Sequence, residues 1–343
     1  MKLGLIVGYW PSSGPPPDAA EQIAAAEDLG FDSIWTSEAY GSDCFTPLAW
    51  WGARTERVKL GTAITQISAR TPASTAMTAI TLDHLSGGRL ILGLGVSGPQ
   101  VVEGWYGQDY AKPLARTREY IEIVRRVVAR DEPVSFAGQH YAMPLQGGTG
   151  LGKPLKSIVR PLRTDIPIYL GAEGPKNVAL AAEIADGWLP MFFSPKADGF
   201  YRAALAEGFA RPGARRTADD FEVACVVPVV PGDDVEACAD LLRPNLALYI
   251  GGMGARDRNF HKDVFERLGY GAECEKIQDA YLDGRKADAA AAVPTAMVED
   301  VYLIGPPAKI RDDLERWRQT CVTSLLVAGP PSLLTQISEL VNG

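Results

Sequence analysis

Two glycine-bearing segments of this 343-residue chain hold the residue types that could do chemistry. In GAEGPKN, residues 171–177, Gly174 lets backbone come close to a ligand, and Pro175 at a first helical position removes an amide the helix would not use. The amides of Lys176 and Asn177 then point out of a helix N-terminus, where the peptide dipoles favour an anion, and Lys176 adds a point charge. Phosphate is the ligand this arrangement would hold; a helix start with no anion uses the same residues. In LDHLSGGRLILGLGVSG, residues 82–98, Gly93 and Gly95 leave an apolar strand without side chains, and Ser97-Gly98 opens a loop at its carboxyl end. Glycine inside a strand marks a bulge or the close approach of a ligand or another backbone. The carboxyl ends of parallel strands are where α/β proteins seat ligands.

Aromatic residues collect around the same strand ends. Trp10, Tyr40, Trp50, Trp51, Trp105, Tyr106 and Phe192 are expected to wall an apolar substrate pocket, with ordinary core packing as the competing reading. Of these, only Tyr40 and Tyr106 could also move a proton. Five cysteines at wide, irregular spacing, with His84, His140 and His261 scattered among them, match no zinc pattern, so no metal is expected. His84 reads as structural, and Asp83 and Arg89 as a pair or a cap beside it. Asp186 reads as a structural turn residue. Arg116, Arg118 and Glu119 read as a helix surface with its own ion pair. His140 and His261 fall in long intervening stretches and read as surface imidazoles, with catalysis the less common alternative.

The charge balance excludes one class of partner. The net charge is −8, from 34 basic and 42 acidic residues, with no basic stripe, which argues against nucleic acid and for a small-molecule substrate. The opening MKLGLIVGYW breaks at Pro11, too soon for a signal peptide or a membrane span, so a soluble cytoplasmic protein is expected.

Eight apolar runs must position these groups: residues 2–10, 33–38, 58–65, 89–97, 166–172, 187–193, 221–230 and 323–329. Helical patterns alternate with them, at 17–29, 72–85, 116–130, 175–185, 306–319 and 331–341. Continuous apolar strands bounded by helices are the mark of a parallel sheet buried on both faces. The count points to an α/β fold, a (β/α)8 TIM-type barrel. An open doubly wound sheet is the rival, weakened because no GxGxxG follows the first strand. Residues 97–165 and 231–305 are too long for ordinary loops and are read as insertions after strands four and seven of a single domain spanning 1–343.

The segments LGFDSIWTSE, RVKLGTAIT, LDHLSGGRLILGLGVSG, IPIYLGAEGPKNVALAAEIADGWLP and VTSLLVAG, in that order, resemble the luciferase-like flavin and deazaflavin oxidoreductases. The resemblance spans almost the whole chain and is greatest to the actinobacterial branch that uses coenzyme F420. It implies a TIM-type barrel with F420 at the carboxyl face, FMN being the alternative cofactor. It further implies that Glu38 meets the polar edge of the deazaflavin, where a carboxylate hydrogen-bonds the cofactor or shifts a proton, against a reading of Glu38 as a solvated loop carboxylate or a helix cap; neighbouring Tyr40 is read from the residues as a second proton-handling group. Ser97 with its hydroxyl and Gly98 with its unobstructed amide suit the cofactor's polar side or ribityl chain, against a plain strand-to-helix turn, and the resemblance implies a cis peptide between Ala63 and Ile64 behind the ring. Gly174, Pro175, Lys176 and Asn177 would take the phosphodiester, and Trp10, Tyr40, Trp51, Trp105 and Phe192 would face substrate. The sugar-phosphate dehydrogenases of the family carry a histidine where this chain has Ala39, so their acid/base arrangement is not expected here. The resemblance is also the whole basis for expecting a homodimer. The implied activity is hydride transfer between F420 and a small apolar or carbonyl-bearing compound. An FMN-dependent monooxygenase and a non-catalytic cofactor-binding barrel are the alternatives.

Overall fold

A computed structural model describes residues 1–342. Eight parallel strands close into a barrel: Lys2–Gly8, Ser33–Thr36, Lys59–Thr62, Leu90–Gly95, Ile168–Gly171, Gly187–Leu189, Glu222–Val226 and Ser324–Val327. Each pairs with the next, and the eighth returns to the first, Ser324 lying beside Lys2. Helices cover the outside, so the strands lose both faces to apolar contact. Their near-continuous Leu, Ile and Val content follows from that double burial. The expected (β/α)8 barrel is therefore what the chain builds.

Close packing inside the barrel depends on missing side chains. A Cβ on Gly93 would lie 1.7 Å from the Thr62 carbonyl oxygen, and one on Gly61 would lie 2.2 Å from the Trp35 ring. Trp35 and Tyr169, ring centroids 5.9 Å apart, fill the interior with Ile6, Ile91, Leu189 and Leu326. Toward the carboxyl end the residues become small, and the barrel opens.

Local signals set the helix starts. Thr71 caps Pro72–Leu85 by accepting from the Ser74 amide, and Pro72 occupies the first turn. The helix after strand four begins at Pro113, three residues before the expected Arg116, and runs to Ala129. The tryptophan-rich segment after strand two forms a helix, Phe45–Gly52, and Asp198–Phe209 is a further helix that the apolar pattern did not reveal.

The seventh strand is shorter than expected. It stops at Val226, and the chain resumes at Val229–Pro231, paired outside the barrel with Leu303–Gly305. Pro228 sits at the break, where it has no amide to give a ladder. Between these two outer strands six short helices, from Val235–Asp240 to Thr295–Val301, enclose a second apolar core. The stretch after strand four folds differently: beyond its barrel helix it carries only a small hairpin, Phe136–Ala137 against Ala142–Met143. Glu119 accepts from the amides of Gln139, His140 and Tyr141 and holds that hairpin.

Two expected side-chain pairings are replaced. Asp83 pairs with Arg163 at 2.5 Å rather than with Arg89, whose guanidinium instead caps the carbonyls of Gly52, Thr55, Val58 and Ser86. Arg118 reaches across to Glu183 on the next barrel helix, and Glu119 is taken by the hairpin. Arg116 bonds back to Asp109 ahead of its helix. The ion-pair partners Arg163, Glu183 and Asp109 are distant in sequence or off the helix face, which local spacing does not encode.

Candidate active site

One cavity of about 650 Å³ opens at the carboxyl ends of the strands and is roofed by the six-helix stretch. Its floor is bare backbone with one aliphatic side chain. Strand three breaks after Thr62, passes through a cis peptide between Ala63 and Ile64, and resumes pairing at Thr65–Gln66. The detour puts Ile64 across the barrel. A Cβ on Gly95 would lie 2.7 Å from Ile64 Cδ1, and one on Gly171 would lie 3.1 Å from Ile64 Cγ2. Gly95, Gly171, Ala63 and Ile64 thus make a surface with room for a flat group lying on it.

Glu38 stands at one edge of the floor, 4% exposed. Arg70 Nη1 donates to its Oε2 at 2.7 Å and the Gln66 amide donates to the same oxygen at 3.1 Å. Burial alone would weaken the Arg70 cation, but the Glu38 carboxylate outweighs it and raises the Arg70 pKa. Gln66 Nε2 ties the Glu38 and Ala39 carbonyls, while its Oε1 is buried with no partner. Tyr40 borders the same edge but is 56% exposed, at the mouth rather than on the floor.

The loop after strand four reaches the cavity through Ser97, which is in the left-handed region at φ 59°, where only a well-held side chain persists. Tyr110 donates to its carbonyl at 3.2 Å. Gly98 then starts the short helix Pro99–Gly104 with no side-chain cap. Across the cavity Gly174 precedes the helix Pro175–Ile184, likewise without a side-chain cap, and nothing lies where its Cβ would be. Gly174 and Asn177 line the cavity, whereas Pro175 and Lys176 are exposed beside it.

The aromatic wall is partly elsewhere. Trp105 lines the cavity rim and Tyr110, Tyr9 and Tyr249 join it. Trp10 and Trp51 do not: their rings pack on each other at 6.2 Å, and Trp51 sits in the core under the helix Phe45–Gly52. Phe192 also misses the cavity, because its backbone turns left-handed at φ 56° and puts the ring into the second core against Tyr249 and Phe265. Tyr106 serves backbone, donating to the Ala39 carbonyl at 3.0 Å.

His261 is not a surface imidazole. It comes off the helix Phe260–Arg267 and lines the cavity, its Nδ1 2.7 Å from Glu173 Oε1. Burial favours the neutral ring, but the Glu173 carboxylate overcomes this and raises the His261 pKa above its ordinary value. Neither Glu173, Arg70, Gln66 nor Tyr249 stood out in the sequence. The only early signal was for Glu173, which lies inside the GAEGPKN segment. Among the described residues, no group of three or more His, Cys, Asp or Glu could hold a metal ion.

A sequence model of the family described as luciferase-like monooxygenase matches residues 6–324. The chain belongs to that family. A Mycobacterium tuberculosis protein named as a candidate coenzyme F420-dependent oxidoreductase is 57% identical over 344 residues, covering 99% of each chain. The 5,10-methylenetetrahydromethanopterin reductase of Archaeoglobus fulgidus is 29% identical over 90% of this luciferase-family chain and 88% of its own. Among solved structures, the coenzyme F420-dependent tetrahydromethanopterin reductase of Methanopyrus kandleri superposes with a TM-score of 0.81 at 25% identity. It covers 100% of this chain and 99% of its own. No helix among the described residues is long and apolar enough to cross a membrane.

Proposed function

We propose that this chain is an F420-dependent oxidoreductase that moves a hydride between the deazaflavin C5 and a carbon of a small apolar or carbonyl-bearing substrate. The observation that carries this reading is the bare floor of Ala63, Ile64, Gly95 and Gly171 beneath the cavity, flanked by two helix N-termini without side-chain caps. A flat ring system with a polar edge and an anionic tail matches that combination, and the Mycobacterium tuberculosis relative is named for the same cofactor.

Ala63 and Ile64 would back the ring, Ser97 and Gly98 would meet its polar side, and Gly174 and Asn177 would receive the anionic tail, with Pro175 fixing the helix start and Lys176 adding charge from outside. When bound, the deazaflavin supplies hydride chemistry with little reactivity toward oxygen, because carbon replaces the flavin N5. Glu38, held by Arg70 and Gln66, presents a fixed acceptor at the ring's edge. Tyr40 and Trp105 border the mouth, where an apolar substrate body would enter.

Titration of the protein with F420 and with FMN, followed by tryptophan fluorescence, tests this. Quenching by F420 without quenching by FMN is the expected result. The reverse result would replace the reading with an FMN-dependent monooxygenase, and no quenching by either would point to a barrel that does not use these cofactors.

A further inference from the structure

We propose that His261, paired with Glu173, is the proton donor to the carbonyl oxygen of the substrate, from the side of the cavity built by the six-helix stretch. The proposal rests on the oxidoreductase reading and adds to it the group that completes the reduction. Hydride addition to a carbonyl carbon forms a C–H bond and pushes the C=O π pair onto oxygen. That oxygen must then gain a proton. Transfer from His261 Nε2 forms the O–H bond and leaves a neutral imidazole, which water reprotonates; the proton remaining from the reduced cofactor passes to solvent. In the oxidative direction the neutral ring takes the hydroxyl proton.

The placement fits a donor. Nδ1 lies 2.7 Å from Glu173 Oε1, a charge contact outside hydrogen-bond alignment, and the ring lines the cavity, with no hydrogen bond to Nε2 from any described residue. The other Glu173 oxygen is buried without a hydrogen-bond partner. The ring is held edge-on by Tyr249 at 4.9 Å and by Phe192 at 5.9 Å. Asn259 fixes the start of its helix: Oδ1 accepts from the His261 amide at 3.0 Å, and Nδ2 donates to the Tyr249 and Ile250 carbonyls. The titratable groups around it are Glu173 from the barrel, Tyr249 from the helix Arg243–Gly251, and Asp263 and Arg267 on its own helix. Glu38 is a poor alternative donor, since its Oε2 is already taken up in accepting from Arg70 and the Gln66 amide. The carboxylate–imidazole pair keeps the ring protonated to higher pH than a free histidine, which suits a donor near neutrality.

The test uses 4-(dimethylamino)cinnamaldehyde, an apolar-bodied aldehyde whose absorption moves to the red when a donor bonds its oxygen. It is applied to wild type, His261→Gln and Glu173→Gln, each with and without F420. Proton NMR titration of the histidine rings runs in parallel, with His261→Gln identifying the His261 signal. The expected result is a red shift in wild type that fades as His261 titrates, is lost in His261→Gln, and fades at lower pH in Glu173→Gln. In that last variant the His261 proton affinity should fall about tenfold, one unit of pKa. Retained F420 quenching in both variants shows that the site is intact. A wild type without the red shift, or a shift unchanged in His261→Gln, overturns the proposal. Failure of wild type to bind F420, with the shift present, would instead overturn the cofactor reading alone.

Discussion

Arg70 Nη1 lies 2.7 Å from Glu38 Oε2, joining a loop residue ahead of the helix Pro72–Leu85 to the carboxyl end of the second barrel strand. The pair sets the charge at one edge of the cavity floor. Removing the cation leaves a nearly buried carboxylate without its counter-charge. Arg70→Met is expected to cost about 2 kcal/mol, below the ~3–5 kcal/mol of a fully buried pair because the Arg70 side chain keeps 20% exposure. Urea denaturation measures it, and the double variant Arg70→Met/Glu38→Gln should recover part of the loss.

Two glycines on one strand separate folding from binding. In Gly93→Ala the new Cβ meets the Thr62 carbonyl oxygen at 1.7 Å, backbone that cannot yield, so a loss of about 3 kcal/mol is expected. In Gly95→Ala it meets the Ile64 Cδ1 methyl at 2.7 Å, which can turn away only by changing the floor. Gly95→Ala should therefore stay folded and bind F420 about tenfold more weakly, a change of about 1.4 kcal/mol. Thermal melting together with fluorescence titration reads both. Equal F420 binding by Gly95→Ala and wild type would remove the floor from the cofactor site.

Asp186 predicts acid sensitivity. Its side chain is 4% exposed and is bonded by Arg125, Arg215, Arg216 and the Ile168 amide. Burial pushes its pKa up, yet Arg125, that amide and Arg215 outweigh burial and hold it below its ordinary 3.8. A carboxyl more acidic when folded adds stability that is complete above the unfolded value and is lost as pH falls through the folded one. The urea midpoint should thus fall below pH 3.8. Asp186→Asn should be less stable at neutral pH by about 3 kcal/mol and show a shallower acid decline. An unchanged acid limb would mean that other carboxylates carry it.

The anion end of the cavity separates charge from position. Lys176 is exposed and lies outside the lining, so Lys176→Ala should weaken F420 by about threefold at low salt and hardly at all at high salt. Asn177 lines the cavity beside Gly174, and Asn177→Asp would put a carboxylate against the anionic tail. A loss of about tenfold or more is expected there by fluorescence titration. Similar effects for the two variants would argue against tail binding at this helix.

The barrel was legible because its signal is local and repeated. Strands buried on both faces need unbroken apolar runs, and all eight such runs became barrel strands within a few residues at each end. The glycines of LILGLG and the Gly174-Pro175 helix start stood out for the same reason, since close approach and a fixed φ leave marks in the residue types themselves. The aromatic residues left no such mark. Trp10, Trp51, Trp105 and Phe192 look alike in a sequence, yet only Trp105 of these reaches the cavity.

Residue order and type by themselves determined the strands of the barrel, the bare Gly93 and Gly95 and the Gly174-Pro175 helix start, because each leaves its mark in the residue types of a short segment. Tertiary structure alone decided which charges meet. Glu38 finds Arg70 thirty-two positions on, and Glu173 finds His261 from a helix outside the barrel. Those encounters depend on how the closed barrel and the six-helix roof come together. Electrostatic partners act through space, and nothing in the spacing of a linear chain records which distant side chain will arrive to neutralise a buried charge.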